Sequence, residues 1–262
     1  MRIRIGAVGY LNARPLTWAL DRQPGRWDVR YDVPSVCAAL LHSGQVDLGL
    51  IPSIEYLQAP DYRFVPGVGI GSDGPVASVA LYARVPLERV RTIALDTSSR
   101  TSVALTRVLC RHRFGISPEF VPHGPQLAAM VERCDAGLLI GDPAFDADHE
   151  SLGLSKIDLG SEWTAMTGLP FVYAAWTGKA GAIGPDEVRV LQDAQAAGIA
   201  SVESIAAEYG RGDPAVAARA ASYLRDNVRY GLGASEAAGL QRFLDYAADL
   251  GLGPHRRRLE FF

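Results

Sequence analysis

Apolar residues fall in short runs broken by Gly, Pro and small polar residues, the rhythm of strands alternating with helices. Residues 3–8 (I-R-I-G-A-V) read as a first strand. G-Y-L-N (9–12) then turns the chain into a helix opening near Pro15, a residue suited to the first helical turn. Strands over 29–33 and 46–51 flank a helix over 36–41 that Pro34 and Ser35 open and Gly44 closes. This order within 51 residues is that of a parallel α/β unit.

The pattern then repeats its type. Strands are predicted over 64–70 and 76–84, with a turn at G-S-D-G-P (71–75) between them. The stretch I-A-L-D-T-S-S-R-T-S-V-A-L-T-R-V-L (93–109) holds a buried strand, a polar loop and a helix whose apolar positions are Val103, Leu105, Val108 and Leu109. A short strand at 119–121, a helix over 126–133 and an apolar strand over 136–140 complete a second α/β layer. The apolar run ending at Trp176 returns the chain to the first. From Pro185 onward only helices are predicted, four of them, and they read as packing material.

Two α/β layers, one interrupting the other, predict a two-lobed α/β chain. Residues 1–84 and 175–262 form domain 1, which includes the C-terminal helices, and residues 85–174 form domain 2. Crossings near 79–84 and 171–176 act as a hinge, and a ligand cleft lies between the lobes.

Composition narrows the function. With 48% hydrophobic and 21% charged residues and a net charge of −3, the 262-residue chain is an ordinary globular protein with no electrostatic case for nucleic acid. The basic cluster Arg256, Arg257 and Arg258 reads as a solvated terminus. Cys37, Cys110 and Cys134 are far apart and read as core residues, without a disulfide framework or zinc site. The apolar stretch after Met1 is broken by Gly6, Gly9, Asn12 and Arg14, so no leader is expected, and no run reaches the ~20 apolar residues of a membrane span. The expected compartment is the cytoplasm.

Neither a dinucleotide fingerprint nor a phosphate loop occurs, and G-x-S-x-G is absent. His42, His112, His123, His149 and His255 lack metal-ligand spacing. Neither cofactor nor metal is therefore expected. What remains is polar and mostly neutral. Thr97, Ser98, Ser99, Arg100, Thr101 and Ser102 stand where a strand ends and a helix begins, a place whose free N–H groups and dipole suit a carboxylate. One hydroxyl there also serves as an ordinary cap. Asn12, at a strand's carboxyl end, suits either a ligand or a cap. Ser53, Ser78 and Asp142 join the candidates; Asp142 is the strongest base among them and equally suits the turn before Pro143. Glu55 reads equally as solvated or functional.

Five stretches carry a resemblance: V-G-Y-L-N-A-R-P-L (8–16), D-G-P-V-A-S-V-A-L (73–81), T-S-S-R-T-S (97–102), L-I-G-D-P-A (139–144) and W-T-A-M-T-G-L-P-F-V-Y-A-A-W (163–176). In order and spacing the chain resembles the chorismate dehydratase family of the futalosine route to menaquinone. The resemblance implies a type II periplasmic-binding-protein-like fold, each lobe a mixed sheet flanked by helices, used as an enzyme. It implies conversion of chorismate to 3-[(1-carboxyvinyl)oxy]benzoate and water, a hydro-lyase reaction on a dianionic small molecule.

Carried over by motif, Asn12 and Ser78 are expected nearest the reacting carbons as catalytic residues. Ser53, Ser98, Ser99, Arg100, Thr101, Ser102 and Asp142 are expected to bind substrate, with Arg100 either touching it or supporting the loop. The proton acceptor is left as either Asp142 or the substrate's own enolpyruvyl carboxylate. Two other readings are compatible with the fold: the sister lyase that yields 1,4-dihydroxy-6-naphthoate, and a non-catalytic solute-binding receptor for a carboxylate. The sister enzyme's expected His has Gly141, Asp142 and Pro143 in its place, and a receptor would need export.

Overall fold

The computed structural model describes residues 2–23, 25–254 and 256–262; His255 lies outside them. In chain order the elements are β1 (Ile3–Val8), α1 (Arg14–Thr17), β2 (Trp27–Asp32), α2 (Pro34–His42), β3 (Leu48–Pro52), β4 (Tyr62–Ser72), β5 (Val79–Ala83), β6 (Thr92–Asp96), α3 (Arg100–Leu109) and β7 (Glu119–His123). There follow α4 (Leu127–Arg133), β8 (Ala136–Ile140), α5 (Gly141–Phe145), β9 (Ser155–Asp158), α6 (Leu159–Thr167) and β10 (Phe171–Lys179). The C-terminal helices are α7 (Pro185–Ala200), α8 (Val202–Gly210), α9 (Pro214–Ser222) and α10 (Ala234–Asp249).

The strands form two five-stranded sheets, ordered β2-β1-β3-β10-β4 and β7-β6-β8-β5-β9. Each begins with three parallel strands and then takes one antiparallel to its neighbours, β10 in the first and β5 in the second. The inner strands β3 and β8 are apolar because both faces are covered, and every residue of each is buried, whereas the parallel edge strands β2 and β7 carry exposed polar residues. The two sheets thus share one layout, although the sequence shows no repeat.

Sheet membership moves the expected division. β5 was assigned with residues 1–84, yet its five residues pair with β8 and β9 of the second sheet. An apolar alternating run fits either sheet, and only its partners decide. The predicted strand over 76–84 also starts later, at Val79, because residues 76–78 form a tight turn. Before the returning strand β10, residues 159–167 form the helix α6, capped by Asp158 accepting from Ser161 N–H.

The C-terminal helices close over the first sheet. Trp163, Phe171 and Phe243 meet edge-on, with Trp163 and Phe171 5.1 Å apart and Phe171 and Phe243 4.9 Å apart, which ties α6, β10 and α10 into one core. Arg256 and Arg258 of the basic cluster are exposed, as a solvated end would have them, but Arg257 is not. Arg257, with a side chain 9% exposed, donates to the carbonyls of Tyr56, Ala59 and Pro60, and the last residues pair with Phe64 of β4. Its cation lies 4.1 Å from the centre of the Tyr56 ring.

Candidate ligand cleft

The carboxyl ends of the parallel strands meet between the sheets, where open α/β sheets present ligand contacts. β1 runs into a 3-10 turn, Leu11–Ala13, carrying Asn12; β6 runs into the loop before α3; β8 runs into Gly141 and Asp142. Asn12, Ser99 and Ser102 line one void together with Tyr10, Gly141 and Tyr173, and no charged side chain lines it among the described residues. The void encloses about 40 Å³, far below the ~300 Å³ at the lower end of ligand pockets. Admission of a ring acid therefore requires the lobes to part.

The groups that hold the lobes together are visible. Asp142 accepts from Leu11 N–H at 2.9 Å, Ser35 N–H donates to Ser98 O at 2.9 Å, and Ile54 N–H donates to Thr101 Oγ1 at 3.1 Å. Arg100 reaches across to Glu55 at 2.9 Å. Glu55 is buried, its side chain 2% exposed, and its Oε2 also meets His42 Nε2 at 2.6 Å. Of the two readings of Glu55, solvated or functional, the solvated one is corrected: the side chain is buried with His42 and Arg100 as its partners.

The predicted residues separate into groups. Ser99 caps α3, accepting from Ser102 N–H at 3.4 Å with the two hydroxyls 3.1 Å apart, so capping and cleft-lining coincide. Thr101 and Ser53 are fully buried beneath the void; Ser53 donates to Val172 O at 2.7 Å. Arg100 does not line the void and holds the loop through Glu55. Ser98 Oγ and the neighbouring Asp96 Oδ2 are buried without a hydrogen-bond partner among the described residues. Burial raises the Asp96 carboxyl above its ordinary range. Asp142 sits at the rim, its carboxyl pushed up to about 6, chiefly by burial and against the pull of its bond from Leu11.

Ser78 is fully buried and does not itself line the void; it follows a strained turn directly before Val79, which does. Ser78 N–H donates to Val76 O at 2.8 Å around Ala77, whose φ is +64°; this is the rarer hand of the three-residue turn. Asp158 holds the turn by accepting from the N–H groups of Val76 and Ala77, and Lys156 Nζ donates to Ala77 O at 2.8 Å. Gly141 N–H donates to Ser78 O at 2.8 Å. Gly141 has φ +61°, and a Cβ there would stand 2.6 Å from the Tyr10 ring, so only glycine lets Tyr10 cover the strand end. Ala77→Gly is expected to stabilise the chain by about 1 kcal/mol, strain relief outweighing the added freedom of the unfolded chain. Thermal unfolding checks this, and a lower melting temperature contradicts a strained turn.

Three tyrosines escaped the sequence reading. Tyr10 and Tyr173 line the void, and burial raises both phenols, keeping them neutral donors at ordinary pH. Both lie within quoted motifs, which was the available signal. Tyr223, directly after α9, is 3% exposed and donates to Ser78 Oγ at 2.6 Å, with the Asn12 amide as a second neighbour. The C-terminal helices, read as packing only, thus reach the site.

Two lobes of this layout around a neutral, donor-lined cleft define a periplasmic-binding-protein-like chain. The structure is similar to a protein from Archaeoglobus fulgidus (TM-score 0.76, 18% identity, 96% of this chain and 98% of that one). It is also similar to the periplasmic aliphatic sulphonate binding protein of Escherichia coli (TM-score 0.67, 21% identity, 97% and 89%). A family model described as menaquinone biosynthesis matches residues 3–249, and the chain belongs to that family. A chorismate dehydratase of Thermus thermophilus is 30% identical over 258 residues, covering 92% of this chain and 93% of that protein.

Proposed function

We propose that this chain is a chorismate dehydratase acting in the cytoplasm on the futalosine route, converting chorismate to 3-[(1-carboxyvinyl)oxy]benzoate and water. The observation that carries the reading is its membership of the menaquinone biosynthesis family over residues 3–249, supported by the 30% identical dehydratase. The cleft's chemistry agrees with it. Ring carbon 3 of chorismate loses a proton made acidic through the conjugated ring carboxylate, the hydroxyl on carbon 4 departs, and the ring becomes aromatic. That proton and that hydroxide make up the released water.

The protein's part is to hold a dianion and stabilise charge spreading onto the ring carboxylate. The first turn of α3, with Ser99 and Ser102, offers N–H and hydroxyl donors for a carboxylate. Asn12 and Ser78 serve the reacting carbons. The enolpyruvyl carboxylate takes the proton, placed by the site beside carbon 3. Asp142, with one oxygen engaged by Leu11 N–H, supports the rim. Incubation of the purified chain with chorismate, followed by mass spectrometry, is expected to show loss of one water. Unchanged chorismate would remove the reading and leave the sister lyase or a carboxylate receptor.

A further inference from the structure

We infer that Tyr223 is a positioning residue for Ser78, its phenol fixing the serine hydroxyl so that the serine's own proton is aimed at the bound substrate. The inference rests on the dehydratase reading. Its basis is a count of protons and lone pairs. Ser78 is fully buried, and its backbone is fixed by the turn at Ala77 and by the bond from Gly141 N–H. The rotation of its hydroxyl then decides where its proton points. That hydroxyl has one proton and two accepting positions. Tyr223 O–H fills one accepting position at 2.6 Å.

The bond runs from the phenol to the serine, Tyr223 O–H to Ser78 Oγ. With one of its accepting positions filled in this way, Ser78 is left to direct its own proton onward. Burial, the first cause acting on this phenol, keeps it protonated and able to donate at ordinary pH. The ring is held against Phe145 with centroids 4.7 Å apart. Tyr223 opens a wider-than-α turn, Tyr223–Asn227, a distortion frequent at functional positions. The bond joins the segment after α9 to Ser78 at the entrance to β5, so the phenol can order the serine only when these two parts of the chain are together.

The test is steady-state kinetics of the full chain with chorismate. Tyr223→Phe keeps the ring packing and is expected to lower kcat about tenfold, with KM changed less than about twofold. The double variant Tyr223→Phe, Ser78→Ala is expected to be no slower than Ser78→Ala alone, because the phenol acts through the serine. Tyr223→Leu, which also removes the ring, controls for packing. Full kcat in Tyr223→Phe with loss only in Tyr223→Leu makes the role structural and overturns the inference, as does a double variant whose loss is the product of the single losses. A wild-type chain that leaves chorismate unchanged fails at an earlier step and removes the dehydratase reading with it.

Discussion

Replacement of Asn12 by Ala is expected to lower kcat on chorismate by about a hundredfold to a thousandfold, the scale seen when a donor aimed at developing charge is removed. Asn12 supplies the side-chain amide of the void, and its neighbours Leu11 and Ala13 are fully buried and hold the turn without it. Leu11 N–H remains bonded to Asp142. The fold should therefore survive while the chemistry does not. Kinetics combined with thermal unfolding checks both halves. A loss below tenfold, or a collapse of the fold, contradicts the assignment.

The second large effect concerns Asp142. Its carboxyl rises from 3.8 to about 6 on folding, which corresponds to about 3 kcal/mol at about 1.4 kcal/mol per pH unit. The folded chain binds the extra proton between those values. Stability from this group is fully present below pH 3.8 and is lost as pH rises through about 6. Asp142→Asn has no such loss and keeps an oxygen to accept from Leu11 N–H. The variant is expected to match the wild type near pH 4 and to exceed it by up to about 3 kcal/mol at pH 7.5. Denaturant melts at the two pH values check this, and an advantage that grows toward acid refutes it. Turnover is expected to fall by less than tenfold, since the proton acceptor proposed here belongs to the substrate; abolished turnover with intact binding would make Asp142 the base.

Local chemistry explains what could be read from the sequence. The strands leading to the cleft announce themselves as apolar runs ending at Gly, Pro or Asp, and the hydroxyl-rich loop before α3 shows its anion-friendly geometry without any distant partner. What escaped depends on distance along the chain. Glu55 reads equally as solvated or functional until His42 and Arg100 close on it, Arg100 from 45 residues away. Arg257 looks like a loose end until the carbonyls near Tyr56 receive it, about 200 positions upstream. Tyr223 meets Ser78 across 145 residues, and nothing in its own neighbourhood marks it. Hydrophobic alternation likewise marked 79–83 as a strand without saying which sheet would take it.

The central place of β10 in the first sheet has a consequence for biogenesis. During synthesis from the N-terminus, β3 and β4 emerge early, but the strand that must lie between them comes more than 90 residues later. All five strands of the second sheet are contiguous in the chain and can pair as soon as they leave the ribosome. The inserted lobe therefore matures first, while the surrounding one waits with a gap that only its returning strand can fill.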